Sequence, residues 1–142
     1  MVEADTVRRL LEGIEQRLTR LEARRGITLA AYAADPDVQD IVERNLEVCI
    51  QGCIDLGLHV LADRPAPLPE TNRGVFRGLV QAGLIEEELG ARLESMAGFR
   101  NVLVHGYASV VPEKVHQALE ELEDIRSYVR QITSALSNEE AS

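Results

Sequence analysis

An all-α fold, an up-and-down bundle of four long helices plus a short helix, follows from three features of the sequence. Apolar residues recur at intervals of three and four along most of the chain, the period of a helix with one buried face. Leu, Ala, Glu and Arg are plentiful, against three tyrosines, two phenylalanines and no tryptophan, which suits helices packed by aliphatic side chains. Prolines either open helices, at Asp35-Pro36 and Pro112-Glu113, or gather in one loop at Pro65, Pro67 and Pro69. The 142 residues make a single domain, 1–142, large enough for one core without disulfide or metal staples.

The first helix is expected to start at Asp5 or Thr6, either of which can cap it, and to close at Arg25-Gly26. Val7, Leu11, Ile14, Leu18 and Leu21 form its seam. Its outer face carries Arg17, Arg20 and Arg24, with Arg8, Arg9 and Arg25 nearby. That stripe has two readings: a guide for RNA or, more simply, a solvated face neutralised by Glu12, Glu15 and Glu22. Thr28–Ala34 reads as a connector with an apolar Leu29 and Tyr32.

The second helix, about Asp37–Ala62, has apolar residues on more than one face and should be the most buried. Gln51, Asp55 and His59 follow at one-turn spacing, so Asp55 and His59 can satisfy each other. Asp55 is also a candidate to orient an active-site arginine or a base. The proline loop spans Ala62–Thr71. Thr71 caps a short third helix through Phe76, Leu79 and Val80 that ends at Gly83, and Arg73 and Arg77 are exposed candidates for phosphate contact. A fourth helix begins at Glu86-Glu87-Glu88, and one last helix runs from Pro112 through Val115, Leu119, Leu122, Ile125, Val129, Ile132 and Leu136 to a polar tail at about 137–142. His116 reads as a surface residue.

No apolar run approaches the roughly 20 residues that span a bilayer. The start, Met-Val-Glu-Ala-Asp, lacks the basic and apolar regions of a signal peptide, so a cytoplasmic protein is expected. Cys49 and Cys53 lie one helical turn apart with no further ligand set around them, and read as core. The net charge of −9 argues against general nucleic-acid binding but permits a local basic groove.

The fourth helix ends in Phe99-Arg100-Asn101-Val102-Leu103-Val104-His105-Gly106-Tyr107, where chemistry concentrates. Arg100 shares a face with Met96, Leu103 and Tyr107, a face expected to be buried. A buried arginine must be paired or serve a site. His105 lies about 140° further round an ideal helix. One straight helix cannot aim both at one point, so either the backbone breaks near Gly106 or two chains share the site. The residue types suit RNA cleavage by a neighbouring 2′-hydroxyl. Histidine can take or give the proton, and arginine forks onto the phosphate oxygens. Asn101 could orient the imidazole or the ribose, and Tyr107 could bond phosphate or stack on a base. With one histidine per motif, acid and base roles require two motifs. Without that chemistry, Arg100 would instead pair with Asp55 or Glu94.

The pattern Arg-x4-His-x-Tyr, here Arg100, His105 and Tyr107, resembles the signature of HepT-like toxins of the HEPN superfamily. The length, the helical layout and the place of the motif before the last long helix are similar too. The resemblance implies a homodimeric, metal-independent endoribonuclease whose motifs meet in a composite cleft, with Arg100, Asn101 and His105 as catalytic candidates. It implies a partner, a minimal nucleotidyltransferase antitoxin, that transfers AMP from ATP onto Tyr107. The toxin itself would need no cofactor. Two alternatives stay open: a non-enzymatic HEPN dimer that binds a nucleotide or a protein, and a helical partner subunit of the nucleotidyltransferase.

Overall fold

A computed structural model describes residues 3–106 and 110–141, and these hold seven helices and no strand. The four long ones are α1 (Ala4–Glu22), α3 (Pro36–Leu61), α5 (Glu87–His105) and α7 (Glu123–Ala141). Three shorter ones are α2 (Leu29–Ala33), α4 (Asn72–Gln81) and α6 (Pro112–Glu120).

The most hydrophobic segment sits in the middle. α3 starts where Asp35 Oδ1 accepts from the backbone N–H groups of Asp37 and Val38 at 3.1 and 3.2 Å, with Pro36 in the first turn. It packs against α1, α4, α5 and α6, which is why its apolar residues cover more than one face. Cys49 and Cys53 are free and fully buried there, as expected, and a hydrogen bond with Cys49, together with burial, pushes the Cys53 thiol well up. α1 lies along α3 through Ile14, Leu18 and Leu21, and α4 and α5 form a hairpin turned at Gly83, whose φ of +75° favours glycine. Tyr128 of α7 reaches inward, and its hydroxyl donates to the Cys53 carbonyl at 2.8 Å.

The fold departs from the sequence reading in five places. Thr28–Ala34 is not a bare connector: Thr28 Oγ1 accepts from Ala31 N–H at 3.1 Å, starting the single-turn α2 that buries Tyr32. α1 begins at Ala4 with no side-chain cap, and Asp5 sits inside the first turn beside Arg8 at 3.2 Å. The last helix is two: Glu121, at φ −105° and ψ 24°, ends α6, and α7 starts at Glu123. The tail continues as exposed helix to Ala141. His116 is half-buried rather than superficial. Its Nε2 lies 2.7 Å from the Ile27 carbonyl and its ring 6.0 Å from that of Tyr32, tying α6 to α2. No described helix is long and apolar enough to cross a membrane.

Candidate active site

The site is built on the far end of α5. The helix opens with Glu87 and Glu88 at its positive end and buries Leu89, Gly90, Leu93 and Ala97. From Gly98 onward no described residue of α5 is fully buried. Phe99, Arg100, Leu103 and Val104 are half-buried, and Asn101, Val102 and His105 are exposed. The expected burial of the Arg100 face is therefore only partial, since Met96 and Leu103 beside it also keep contact with solvent.

The helix stays helical through His105 and stops at Gly106, whose N–H donates to the Val102 carbonyl at 2.7 Å. The φ of Gly106 is −84°, so handedness does not demand a glycine. Space does: a Cβ there would lie 2.5 Å from the Val102 oxygen. Because the backbone does not break before His105, the divergence of about 140° between Arg100 and His105 stands.

Arg100 lines a groove between α1 and α3 together with Gln51, Gly52 and Asp55, and His105 does not reach it. The Arg100 Nη1 donates to Asn101 Oδ1 at 3.4 Å, and Asn72 Nδ2 donates to the same oxygen at 3.4 Å. Asn101 thus steadies the arginine rather than the imidazole. Asn72, at the start of α4, is a participant that no spacing in the sequence signals. The Arg100 Nε is buried with no hydrogen-bond partner among the described residues. Neither acid expected to pair with Arg100 does so: Glu94 accepts from Arg77 at 2.7 Å, and Asp55 accepts from Gln51 at 2.7 Å.

Asp55 and His59 do not satisfy each other. Asp55 turns outward into the groove, whereas the His59 Nε2 is buried without a partner among the described residues. On the other side of α5, Met96, Phe99 and Val102 join Val111 and Ala118 along a largely apolar groove of about 650 Å³. Arg73 lies across Gly98, where an added Cβ would fall 2.0 Å from its Nη2. Of the two exposed arginines expected on α4, Arg77 is engaged by Glu94. Tyr107 lies outside the described residues.

Residues 14–132, spanning α3 to α6 and the whole motif segment, match the family model described as ribonuclease HepT-like. The chain belongs to the ribonuclease HepT-like family. A tRNA nuclease HepT from Aphanizomenon flos-aquae is 32% identical over 136 residues, covering 95% of this chain and 92% of that protein. An mRNA nuclease HepT from Shewanella oneidensis is 32% identical over 99 residues, covering 69% of this chain and 74% of that protein. The fold is shared with the tri-AMPylated Shewanella oneidensis HEPN toxin solved in complex with an MNT antitoxin. That match has a TM-score of 0.84 at 27% identity, over 93% of this chain and 99% of that one. A Bacillus subtilis cytosolic protein of unknown function, YutE, superposes with a TM-score of 0.84 at 16% identity, over 97% of this chain and 93% of that one, and shares the fold alone. HepT-like membership places the Arg100–His105 segment in a ribonuclease family and leaves its division of labour to the geometry.

Proposed function

We infer that this protein is the toxin of a toxin–antitoxin pair, a metal-independent endoribonuclease that works as a homodimer in the cytoplasm. The observation that carries this reading is the divergence of Arg100 and His105 on an unbroken helix, with the Arg100 Nε buried and without a partner among the described residues. A second copy, brought against the half-exposed end of α5, would set the two motifs face to face. The curated relatives are named as RNA nucleases, which fits.

In that cleft the 2′-hydroxyl of the substrate attacks the adjacent phosphorus, and one His105 takes its proton. The bond to the 5′-oxygen breaks, and His105 of the second copy returns a proton to that oxygen. The products are a 2′,3′-cyclic phosphate and a 5′-hydroxyl. Arg100 forks onto the non-bridging oxygens as charge gathers on them. Asn101 holds the Arg100 guanidinium, and Asp55 in the same groove biases its orientation. Tyr107 is the acceptor for AMP, delivered from ATP by a minimal nucleotidyltransferase antitoxin. A bulky anion beside Arg100 and His105 then blocks the cleft and repels RNA phosphates.

The test is cleavage of a labelled RNA in excess EDTA by wild type and His105→Ala. The reading expects cyclic-phosphate ends from wild type and a loss of roughly 10²–10⁴-fold in the variant at unchanged thermal stability. Absence of cleavage by wild type whose Tyr107 is unmodified by intact mass would favour a binding dimer instead.

A further inference from the structure

Among the described residues, Arg8 of α1 is held by Asp5 of its own helix at 3.2 Å, but Arg9, Arg17 and Arg20 have no such partner. Glu12 stands one turn from Arg8 and Arg9, Glu15 has no arginine at that spacing and Glu22 has only Arg25; Glu15 and Glu22 are held instead by Arg126 of α7, with Glu15 at 2.5 Å. That clamp holds the Glu22 carboxyl below its usual range and raises the Arg126 guanidinium. Arg9 and Arg20 are exposed and have no ion-pair partner among the described residues, and Arg24 reaches only the Arg20 carbonyl, at 3.3 Å.

These side chains lie along one path. Arg17, Arg20, Arg24 and Arg44 line an outer groove, Arg9, Arg17, Arg44 and Arg100 line an inner one, and the two share Arg17 and Arg44. Six arginines face three carboxylates there, Asp40, Glu47 and Asp55, on a chain whose net charge is −9. Glu47 engages Arg44 at 3.3 Å, and Asp55 is bonded to Gln51. The stretch from Arg9 to Arg20 alone is about 16 Å long. Between Arg9 and Arg17, at the same one-turn spacing, stands Gly13, where an added Cβ would meet nothing within 4 Å. A mid-helix glycine costs about 0.5–1 kcal/mol relative to alanine, and no packing contact explains this one. It leaves the floor of the inner groove clear on the way to Arg100.

We propose that the α1–α3 face is a phosphate track, which binds the RNA strand flanking the cleavage point and leads it to Arg100. The proposal rests on the ribonuclease reading for its ligand and extends it with a site of its own. Among the described residues no aromatic side chain lines either groove, so along α1 the track grips the sugar–phosphate backbone. Binding is therefore indifferent to base sequence and steeply dependent on salt.

The test compares two double variants of equal net charge: Arg20→Gln with Arg24→Gln on the track, and Arg64→Gln with Arg130→Gln away from it. Arg17 is spared because its Nη1 donates to the buried Asn45 at 3.2 Å. Affinity for a labelled 20-nucleotide polyuridine is measured by anisotropy from 50 to 300 mM KCl, alongside cleavage kinetics. The track variant should bind roughly tenfold more weakly, with a log–log salt slope shallower by about 1.4, and raise KM more than it lowers kcat. The control pair should match wild type. Equal affinities and slopes for all three proteins would overturn the track. So would unchanged RNA binding with lost capture of the nucleotidyltransferase, which would assign the arginines to that partner. RNA binding through the track without any cleavage would leave the track standing and sink the ribonuclease reading.

Discussion

The two halves of α5 lie on one continuous helix and do opposite things. The first half places Leu89, Leu93 and Ala97 in the core, each 1% exposed or less. The second half, from Gly98 to His105, buries no residue fully and carries Arg100, Asn101 and His105. A helix that packs along its whole length needs one apolar stripe. Here the stripe fades just where the chemistry begins, and Val102, 37% exposed, is left facing outward. The contrast teaches that the first half of α5 builds the core, while the motif residues add little to it.

Leu93→Ala should show the packed half at its strongest. Leu93 is fully buried, and its truncation should cost about 2–5 kcal/mol in urea unfolding. Asn101→Ala, eight residues on and exposed, should stay within about 0.5 kcal/mol of wild type while lowering cleavage. A large stability loss at Asn101 would erase the distinction between the halves.

A smaller effect tests the charged clamp by which Arg126 of α7 holds Glu15 and Glu22 of α1. Arg126→Gln should destabilise by about 1–2 kcal/mol at pH 7. The sign with pH follows from Glu22, whose carboxyl is held low chiefly by its hydrogen bond from Arg126. A lowered carboxylate contributes stability above its unfolded value of 4.5, and the contribution disappears as pH falls through the lowered value. The gap in stability between wild type and variant should therefore be full at pH 6 and shrink on acidification below about 4.5. A gap that widens in acid would contradict the clamp.

Much of this was legible in the sequence, for a physical reason. Long seams such as Ile14-Leu18-Leu21 announce themselves because burial repeats with the helix, and all four long helices were found that way. α2 escaped because five residues are too few to show a period. The break after Glu120 escaped because Leu119, Leu122 and Ile125 keep a three-residue spacing across it, all reaching the core. The motif and the angle between its side chains were visible from helical geometry alone. The partners of its residues were not. Spacing offered Asp55 both Gln51 and His59, and only the packing of α3, which turns His59 inward, decided for Gln51. Glu22 had Arg25 one turn ahead in sequence, yet it joined Arg126, 104 residues away.

The most direct test of the account is the activity of a mixed dimer, one protomer wild type and the other His105→Ala, purified through two different tags. If the two motifs form one cleft in which one histidine takes the proton and the other returns it, the mixed dimer should cleave RNA at far less than half the wild-type rate. A rate of half would mean that each protomer carries a complete site of its own, and would contradict the composite cleft.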